Sequence, residues 1–86
     1  MSRYKIEIKA SARKELRKLD SRVRKRVVEA IADLADVPRP DGCKKLKAVD
    51  GYRIRVGDYR VVYTVDDGLI TVVVVKVGPR GGVYGR

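Results

Sequence analysis

The stretch Tyr52 to Tyr63, reading YRIRVGDYRVVY, leaves a folding chain few choices. Two runs of alternating apolar and polar residues flank Gly57-Asp58, a turn-forming pair, and the combination predicts a β-hairpin. Side chains alternate between the two faces of a strand. Tyr52, Ile54 and Val56 therefore share one side with Tyr59, Val61 and Tyr63, where they can pack into a core. Arg53, Arg55 and Arg60 are left on the opposite side. A two-residue loop sets Arg55 directly across from Arg60. Like charges in that position are destabilising, so folding alone does not select them. Two explanations stand side by side: an anion held between the guanidinium groups, or an ordinary solvated strand face.

The 86 residues are expected to form a single domain spanning 1–86, able to bury roughly 60% of its unfolded surface. Trp and Phe are absent, so the core must come from Val, Ile, Leu, Ala and some of the five tyrosines. A formal charge of +10 points to a polyanionic partner, nucleic acid or an acidic protein, without choosing between them. Up to Asp50 the basic residues mix Lys and Arg; beyond it all are Arg except Lys76. Guanidinium forks suit bidentate phosphate recognition better than ammonium groups do, which favours a defined phosphate site over mere solubility. Cys43 is the only cysteine. An intramolecular disulfide is therefore impossible, a reducing cytosol is the natural setting, and a small buried or half-buried residue is the plain reading of the thiol, ahead of a reactive one. Histidine is absent, which removes His acid–base chemistry and His metal ligands together. The start, MSRYKIEIK, has no apolar run, and Val72 to Val75 is far too short to span a bilayer. A soluble, cytoplasmic protein with no membrane association is expected.

Taken in order, Tyr4, Ile6 and Ile8 alternate with charged residues and predict a half-buried first strand. Ser11 reads as an N-cap, and Ala12, Leu16 and Leu19 mark a short helix running to about Leu19. Asp20-Ser21 breaks it and can cap a second helix, whose apolar face is Val23, Val27, Ala30, Ile31 and Leu34 and whose end falls near Asp36, before Pro38. So short a junction makes an antiparallel helix hairpin that can lie on one face of a sheet. Its outward residues Arg13, Lys14, Arg17, Lys18, Arg22, Arg24, Lys25 and Arg26 are strongly basic. Within that set Lys14, Arg17, Lys18, Arg22 and Lys25, joined by Lys44, Lys45 and Lys47, are the expected RNA-gripping residues. Such a grip is salt-dependent and blind to base sequence; a solvated helical face is the bland alternative.

Val37 to Gly42 is a loop, and Lys44 to Ala48 is either a short strand or an extended approach to the hairpin. After a turn at Asp66-Asp67-Gly68, the run Leu69 to Val77 is apolar on both faces and predicts an interior strand. Its register stays open, because a two- or three-residue turn swaps which valines face the helices. The expected architecture is α+β: an N-terminal strand, an antiparallel helix hairpin, then a three-stranded antiparallel meander. The helices cover one sheet face, and the arginine face is expected to be open.

The tail adds Arg80 and Tyr84, with glycines that let the backbone bend back. Bent toward the arginine face, the tail would bring four arginines and a phenol together. A terminal solubility charge and an amphipathic plug at the sheet edge are the alternatives for these two residues. Phosphodiester chemistry makes sense of the group. A well-placed donor that stabilises the charge of a pentacoordinate phosphorane is typically worth about 10²–10³ in rate. A tyrosine, with an ordinary pKa of about 10, becomes a usable base beside guanidinium groups that favour its phenolate. In RNA the ribose 2′-hydroxyl is a ready nucleophile, so no metal or cofactor is needed. Asp58, Asp66 and Asp67 sit in turns, where Asp serves local hydrogen bonding, rather than clustering as a two-metal nuclease requires.

Nearly the whole chain, from RYKIEIKASARKELRKL through KLKAVDGYRIRVGDYRVVY to VVVVKVGPRGGVY, resembles the RelE/ParE superfamily of toxins from type II toxin–antitoxin pairs. Within it the chain looks closer to the RelE branch, whose members cleave messenger RNA in the ribosomal A site without metal. The resemblance implies that Arg53, Arg55, Arg60 and Arg80 stabilise the phosphorane, that Tyr84 is the general base on the 2′-hydroxyl, and that the cut ends as a 2′,3′-cyclic ester. It also implies an acidic antitoxin that wraps the toxin and blocks the arginine face, in a toxin–antitoxin hetero-oligomer. Arg53 and Arg55 stand where some relatives have lysine; arginine keeps its proton, so a lysine-based proton transfer is excluded. Pro79 stands where related toxins often have histidine, which leaves a His-assisted leaving-group step without its residue. Two other functions fit the same resemblance and charge: ParE-like inhibition of DNA gyrase without RNA cleavage, and a plain RNA-binding module that cuts nothing.

Overall fold

The computed structural model describes residues 3–47 and 50–79. The order is β1 (Lys5–Ile8), α1 (Ala10–Arg17), α2 (Ser21–Asp33), β2 (Lys44–Lys45), β3 (Tyr52–Val56), β4 (Tyr59–Asp66) and β5 (Thr71–Pro79). These form the expected α+β arrangement. The sheet has five strands in the order β1-β5-β4-β3-β2, with β1 parallel to β5 and the remaining pairs antiparallel. The ambiguous segment after Cys43 contributes β2, whose Lys44 pairs with Arg53 and Lys45 with Tyr52. Ala48 lies outside the described residues.

The helix hairpin starts differently from the expectation. Lys9, not Ser11, is the N-cap residue of α1, and it makes no side-chain cap bond. The reason is the tightness of the junction. The Lys9 amide still donates to the Val74 carbonyl (2.9 Å), while the Lys9 carbonyl already accepts from the Arg13 amide (2.9 Å). Strand therefore passes into helix without a linker, and Ser11 falls inside the first turn. At the other end α1 stops at Arg17, short of Leu19. Arg24 was expected among the outward cations; instead its guanidinium donates to the Arg17 carbonyl (3.3 Å) and the Leu19 carbonyl (3.1 Å). A cation on these terminal carbonyls also matches the helix dipole. Asp20 caps α2 as expected, its carboxylate accepting from the Arg22 amide at 3.2 Å. None of the described helices is long and apolar enough to cross a membrane.

Both helices pack on one sheet face. Ala12 and Leu16 of α1 and Val27 and Ile31 of α2, with Leu34 just beyond, meet Ile54, Val61, Tyr63, Val72, Val74 and Val77 of the sheet. Each fully buried aliphatic side chain contributes about 1.5–3 kcal/mol relative to exposure. The hairpin register is the one read from the sequence: Tyr52 opposite Tyr63, Ile54 opposite Val61, Val56 opposite Tyr59. Gly57 has φ +61, whereas Asp58 does not take positive φ, the pattern of a type II′ turn that matches strand twist. Gly51 answers a different need. A Cβ there would stand 2.8 Å from the Tyr63 carbonyl oxygen, so no larger residue fits.

The last strand starts later than expected. Leu69 is 75% exposed and Ile70 has φ +50, so both belong to the turn, which spans Asp67 to Ile70. Asp66 holds that turn by accepting from the Leu69 amide at 2.9 Å. The turn length alone does not settle which valines are core, because β5 carries a bulge. Val62 pairs with Lys76 but Tyr63 with Val74, leaving Val75 unopposed. One extra residue flips the alternation. Val72 and Val74 face the helices before the bulge, and Val77 faces them after it. Past the bulge β5 also outruns β1, whose pairing ends at Val74. Glu15 of α1 takes the place of the missing strand, accepting from the Val77 amide (2.8 Å) and from the Lys76 ammonium (3.1 Å). Replacing Glu15 with Ala is expected to lower unfolding free energy by about 1–3 kcal/mol, because a partly buried amide loses its acceptor; urea denaturation measures it.

Tyr63 is fully buried, its ring stacked on Tyr52 (centroids 5.9 Å apart) and its hydroxyl donating to the Pro38 carbonyl at 2.7 Å. Burial, with the neighbouring Cys43 second, raises its pKa well above the usual value. In the unfolded chain the phenol ionises near pH 10, while the folded protein keeps it neutral. The unfolded state then binds fewer protons, so stability is intact below about pH 10 and falls as pH rises beyond it. Tyr63→Phe is expected to flatten that alkaline slope and to cost about 1–3 kcal/mol at neutral pH by orphaning the Pro38 carbonyl. Urea titrations between neutral and alkaline pH check both effects.

Candidate functional site

The structure brings three of the five expected site residues onto one surface. Arg55 of β3 stands directly opposite Arg60 of β4, and Arg53 lies two residues back on the same face, opposite Val62. On the far side of β4, Arg60 is paired with Gly78 of β5, so no side chain crowds it from that strand. Lys44 of β2 pairs with Arg53 and adds a further cation to this face. Lys76, opposite Val62, is drawn away to Glu15 and neutralised. Arg80 and Tyr84 lie outside the described residues. β5 carries the chain to Pro79, beside Tyr59, one residue short of Arg80.

This face is not the open surface expected from the sequence. Arg55 is exposed, but Arg53 and Arg60 retain only 7% of their accessible area each. Each stands between two cross-strand neighbours, Arg53 between Lys44 and Val62, Arg60 between Arg55 and Gly78. So little exposure covers the guanidinium head as well as the methylenes: Nε and Nη1 of Arg60 are buried. The chemical consequence is rigidity. Guanidinium groups held in a partly desolvated setting act more strongly on an anion than solvated ones do.

The other basic residues are elsewhere. Lys14, Arg17, Lys18, Arg22 and Lys25 are all exposed on the helices, and the helices cover the sheet face opposite the arginines. Lys45 pairs with Tyr52, on the helix-facing parity, and Lys47 follows β2 as an exposed residue. Of the eight expected RNA-gripping residues, strand pairing places Lys44 on the arginine face. A groove of about 850 Å³ lies beside β3, with Leu34 and Ile54 in its wall and Arg55 at its border. Asp33, Asp36, Asp41 and Arg39 also line it, so its wall carries both signs of charge.

One polar cluster was not visible from the sequence. Arg39 lies over the Tyr52 ring (5.1 Å), donates to the Tyr52 hydroxyl (2.9 Å) and forks onto Asp67 at 3.0 and 3.3 Å. Tyr4 donates to the same carboxylate at 2.7 Å. Arg39, then Tyr4, holds the Asp67 carboxyl below its usual range. The bond to Asp67 in turn raises the Tyr4 phenol. The group ties β1, the loop after α2 and the β4–β5 turn to the start of β3, and so fixes the strand that carries Arg53 and Arg55. No periodicity links residues 28 or 63 positions apart, and a lone arginine between prolines gives no signal of its partner.

Comparisons with known proteins agree with this architecture. A family model described as the ParE toxin of the type II toxin–antitoxin system parDE matches residues 6–84. The chain is similar to Toxin RelG of Mycobacterium tuberculosis, 35% identical over 96% of this chain and 98% of the relative. It is similar to the mRNA interferase toxin RelE of Escherichia coli, 34% identical over 90% of this chain and 83% of the relative. Among solved structures, the archaeal RelE–RelB complex from Pyrococcus horikoshii contains a chain with TM-score 0.83 and 32% identity, covering 94% of this chain and 98% of that one. A matching family model, relatives above 30% identity along nearly the full length and the same helix-hairpin-on-sheet architecture lead to one conclusion: the chain belongs to the RelE/ParE family of toxins from type II toxin–antitoxin systems.

Proposed function

We propose that this toxin is a metal-independent endoribonuclease that cleaves ribosome-bound messenger RNA and so stops translation. The observation that carries the reading is the cross-strand pairing of Arg55 with Arg60, beside Arg53 and across from Gly78. Two guanidinium groups facing each other across a hairpin are unfavourable on their own and favourable around a phosphodiester. Relatives named mRNA interferase support the same chemistry.

In this reading Tyr84 takes the proton from the ribose 2′-hydroxyl and the 2′-oxygen attacks phosphorus. Arg53, Arg55, Arg60 and Arg80 stabilise the charge that builds on the phosphorane. The P–O5′ bond breaks and the departing 5′-oxygen takes a proton from solvent, leaving a 2′,3′-cyclic ester on one fragment and a 5′-hydroxyl end on the other. Arginine stabilises charge without exchanging its own proton, so the phenol is the one group in the set able to act as base. Lys14, Arg17, Lys18, Arg22, Lys25, Lys45 and Lys47 cannot hold the strand lying on the arginine face. A ribosome surrounds the toxin with RNA, and these cations then grip its backbone while Lys44 joins the cut site. Solved relatives such as the archaeal RelE bound to RelB support an antitoxin partner. For a +10 chain that partner is an acidic protein that covers the arginine face.

Primer extension on translated transcripts, with a chelator present, should reveal discrete cuts for the wild type. Tyr84→Phe should lower cleavage by roughly 10²–10⁴ if the phenol is the base; unchanged turnover rejects that role. Gyrase supercoiling inhibited without any RNA cut would instead establish the ParE-like reading.

A further inference from the structure

One basic residue of the sheet stands outside the site described above. Beyond Asp50 every cation is an arginine except Lys76. Strand register puts Lys76 on the arginine face. It stands opposite Val62 of β4, Val62 stands opposite Arg53 of β3, and Arg53 stands opposite Lys44 of β2. Directly opposed residues share a face of the sheet, so Lys44, Arg53, Val62 and Lys76 form one row across it. The neighbouring row holds Arg55, Arg60 and Gly78. Lys76 is therefore diagonal to Arg60, a separation of roughly 7–8 Å that a long side chain spans. Gly78, the β5 residue nearest Arg60, puts no side chain in the way.

The Lys76 ammonium nonetheless points elsewhere. It meets Glu15 of α1 at 3.1 Å, at the edge that β5 leaves free beyond Val74. The two side chains are 48% and 30% exposed, and an ion pair as open as this holds weakly. Glu15 also accepts from the Val77 amide at 2.8 Å. Its carboxylate thus keeps a partner, and the edge stays closed, when the ammonium leaves. The kind of cation suits such a move. A guanidinium fork favours one fixed geometry, whereas an ammonium on a flexible stem is a point charge that turns between partners.

We infer that Lys76 is a ligand of the RNA backbone held in reserve. It rests on Glu15 in the free toxin and swings onto a phosphate beside the scissile one when a strand lies across the arginine face. Its row sets which phosphate it takes: Arg55 and Arg60 flank one linkage, and Lys76 stands one row away. A backbone contact carries no base information, so Lys76 adds grip without selecting sequence. Glu15 competes with the RNA for it. The inference rests on the RNA reading above and adds to it a binding residue and the carboxylate that restrains that residue.

The test uses a short single-stranded RNA with every ribose 2′-O-methylated, so that nothing is cut, titrated against the full chain over a range of salt concentrations. Lys76→Met keeps the apolar stem and removes the charge. It should lower the slope of log affinity against log salt by about 0.7, the share of one phosphate contact on a single strand. Glu15→Gln keeps an oxygen for the Val77 amide and abolishes the ion pair, and it should tighten binding about two- to fivefold. In the Lys76→Met background the same change should have no effect. A gain that persists there comes from the lost negative charge alone and overturns the inference, as does a salt slope that Lys76→Met leaves unmoved. In a translating system Lys76→Met should raise KM for cleavage severalfold more than it lowers kcat, because a backbone grip holds ground state and transition state alike. Cleavage with KM unmoved overturns the Lys76 contact and leaves the nuclease reading standing. A Lys76-dependent salt slope without any cleavage upholds the contact and removes the nuclease reading.

Discussion

Cross-strand pairing of β3 with β4 through the Gly57-Asp58 turn sets two positive charges against each other, Arg55 facing Arg60. The same pairing places Tyr52, Ile54, Val61 and Tyr63 against the helices. These two outcomes cannot be separated. Strand parity has a period of two, so slipping the register by one residue to part the arginines would turn every core side chain outward. The apolar burial gained across the whole hairpin outweighs the repulsion between one pair of like charges. The arginine pair is therefore held by the core behind it.

The rest of the sheet protects that arrangement. β5 must serve β1 on one side and β4 on the other, and it bulges at Val75 between the two tasks. The bulge returns Val77 to the core and brings Gly78 opposite Arg60. Beyond β1 the exposed edge of β5 would present an unsatisfied amide, an invitation to pair with another chain. Glu15 closes that edge from α1. At the other end of the sheet Arg39 binds Asp67 and Tyr52, Tyr4 joins them through Asp67, and Tyr63 reaches the Pro38 carbonyl. Those bonds cross between segments far apart in the chain, and they hold β3 and β4 from the end opposite the turn. The proposed phosphate site gains from such a frame, because guanidinium groups gain most over water when they do not have to reorganise.

Charge is divided between the two sides of the molecule in a way that suits two different tasks. On the sheet Arg53 and Arg60 are buried and Arg55 is exposed, which suits the proposed site of defined geometry. The lysines and arginines of the helices other than Arg24 are exposed, and in the proposed reading they suit contact with any RNA backbone. The turn at Gly57-Asp58 is where the two sides approach, since Arg26 leans from α2 over the hairpin tip.

The hairpin, its core parity and the Arg55–Arg60 opposition were legible in YRIRVGDYRVVY because a period of two and a Gly-Asp turn are local signals. The two helices were legible for the same reason, and Asp20 announced its cap. Only the tertiary structure decided the bulge at Val75, since a run of valines reads alike on both faces until its partners are known. It also decided that Lys9 rather than Ser11 starts α1, that Arg24 closes a helix rather than facing solvent, and that Arg53 and Arg60 are covered. Those outcomes depend on what a residue meets across the fold. Propensity and periodicity report only on the few residues beside it in the chain.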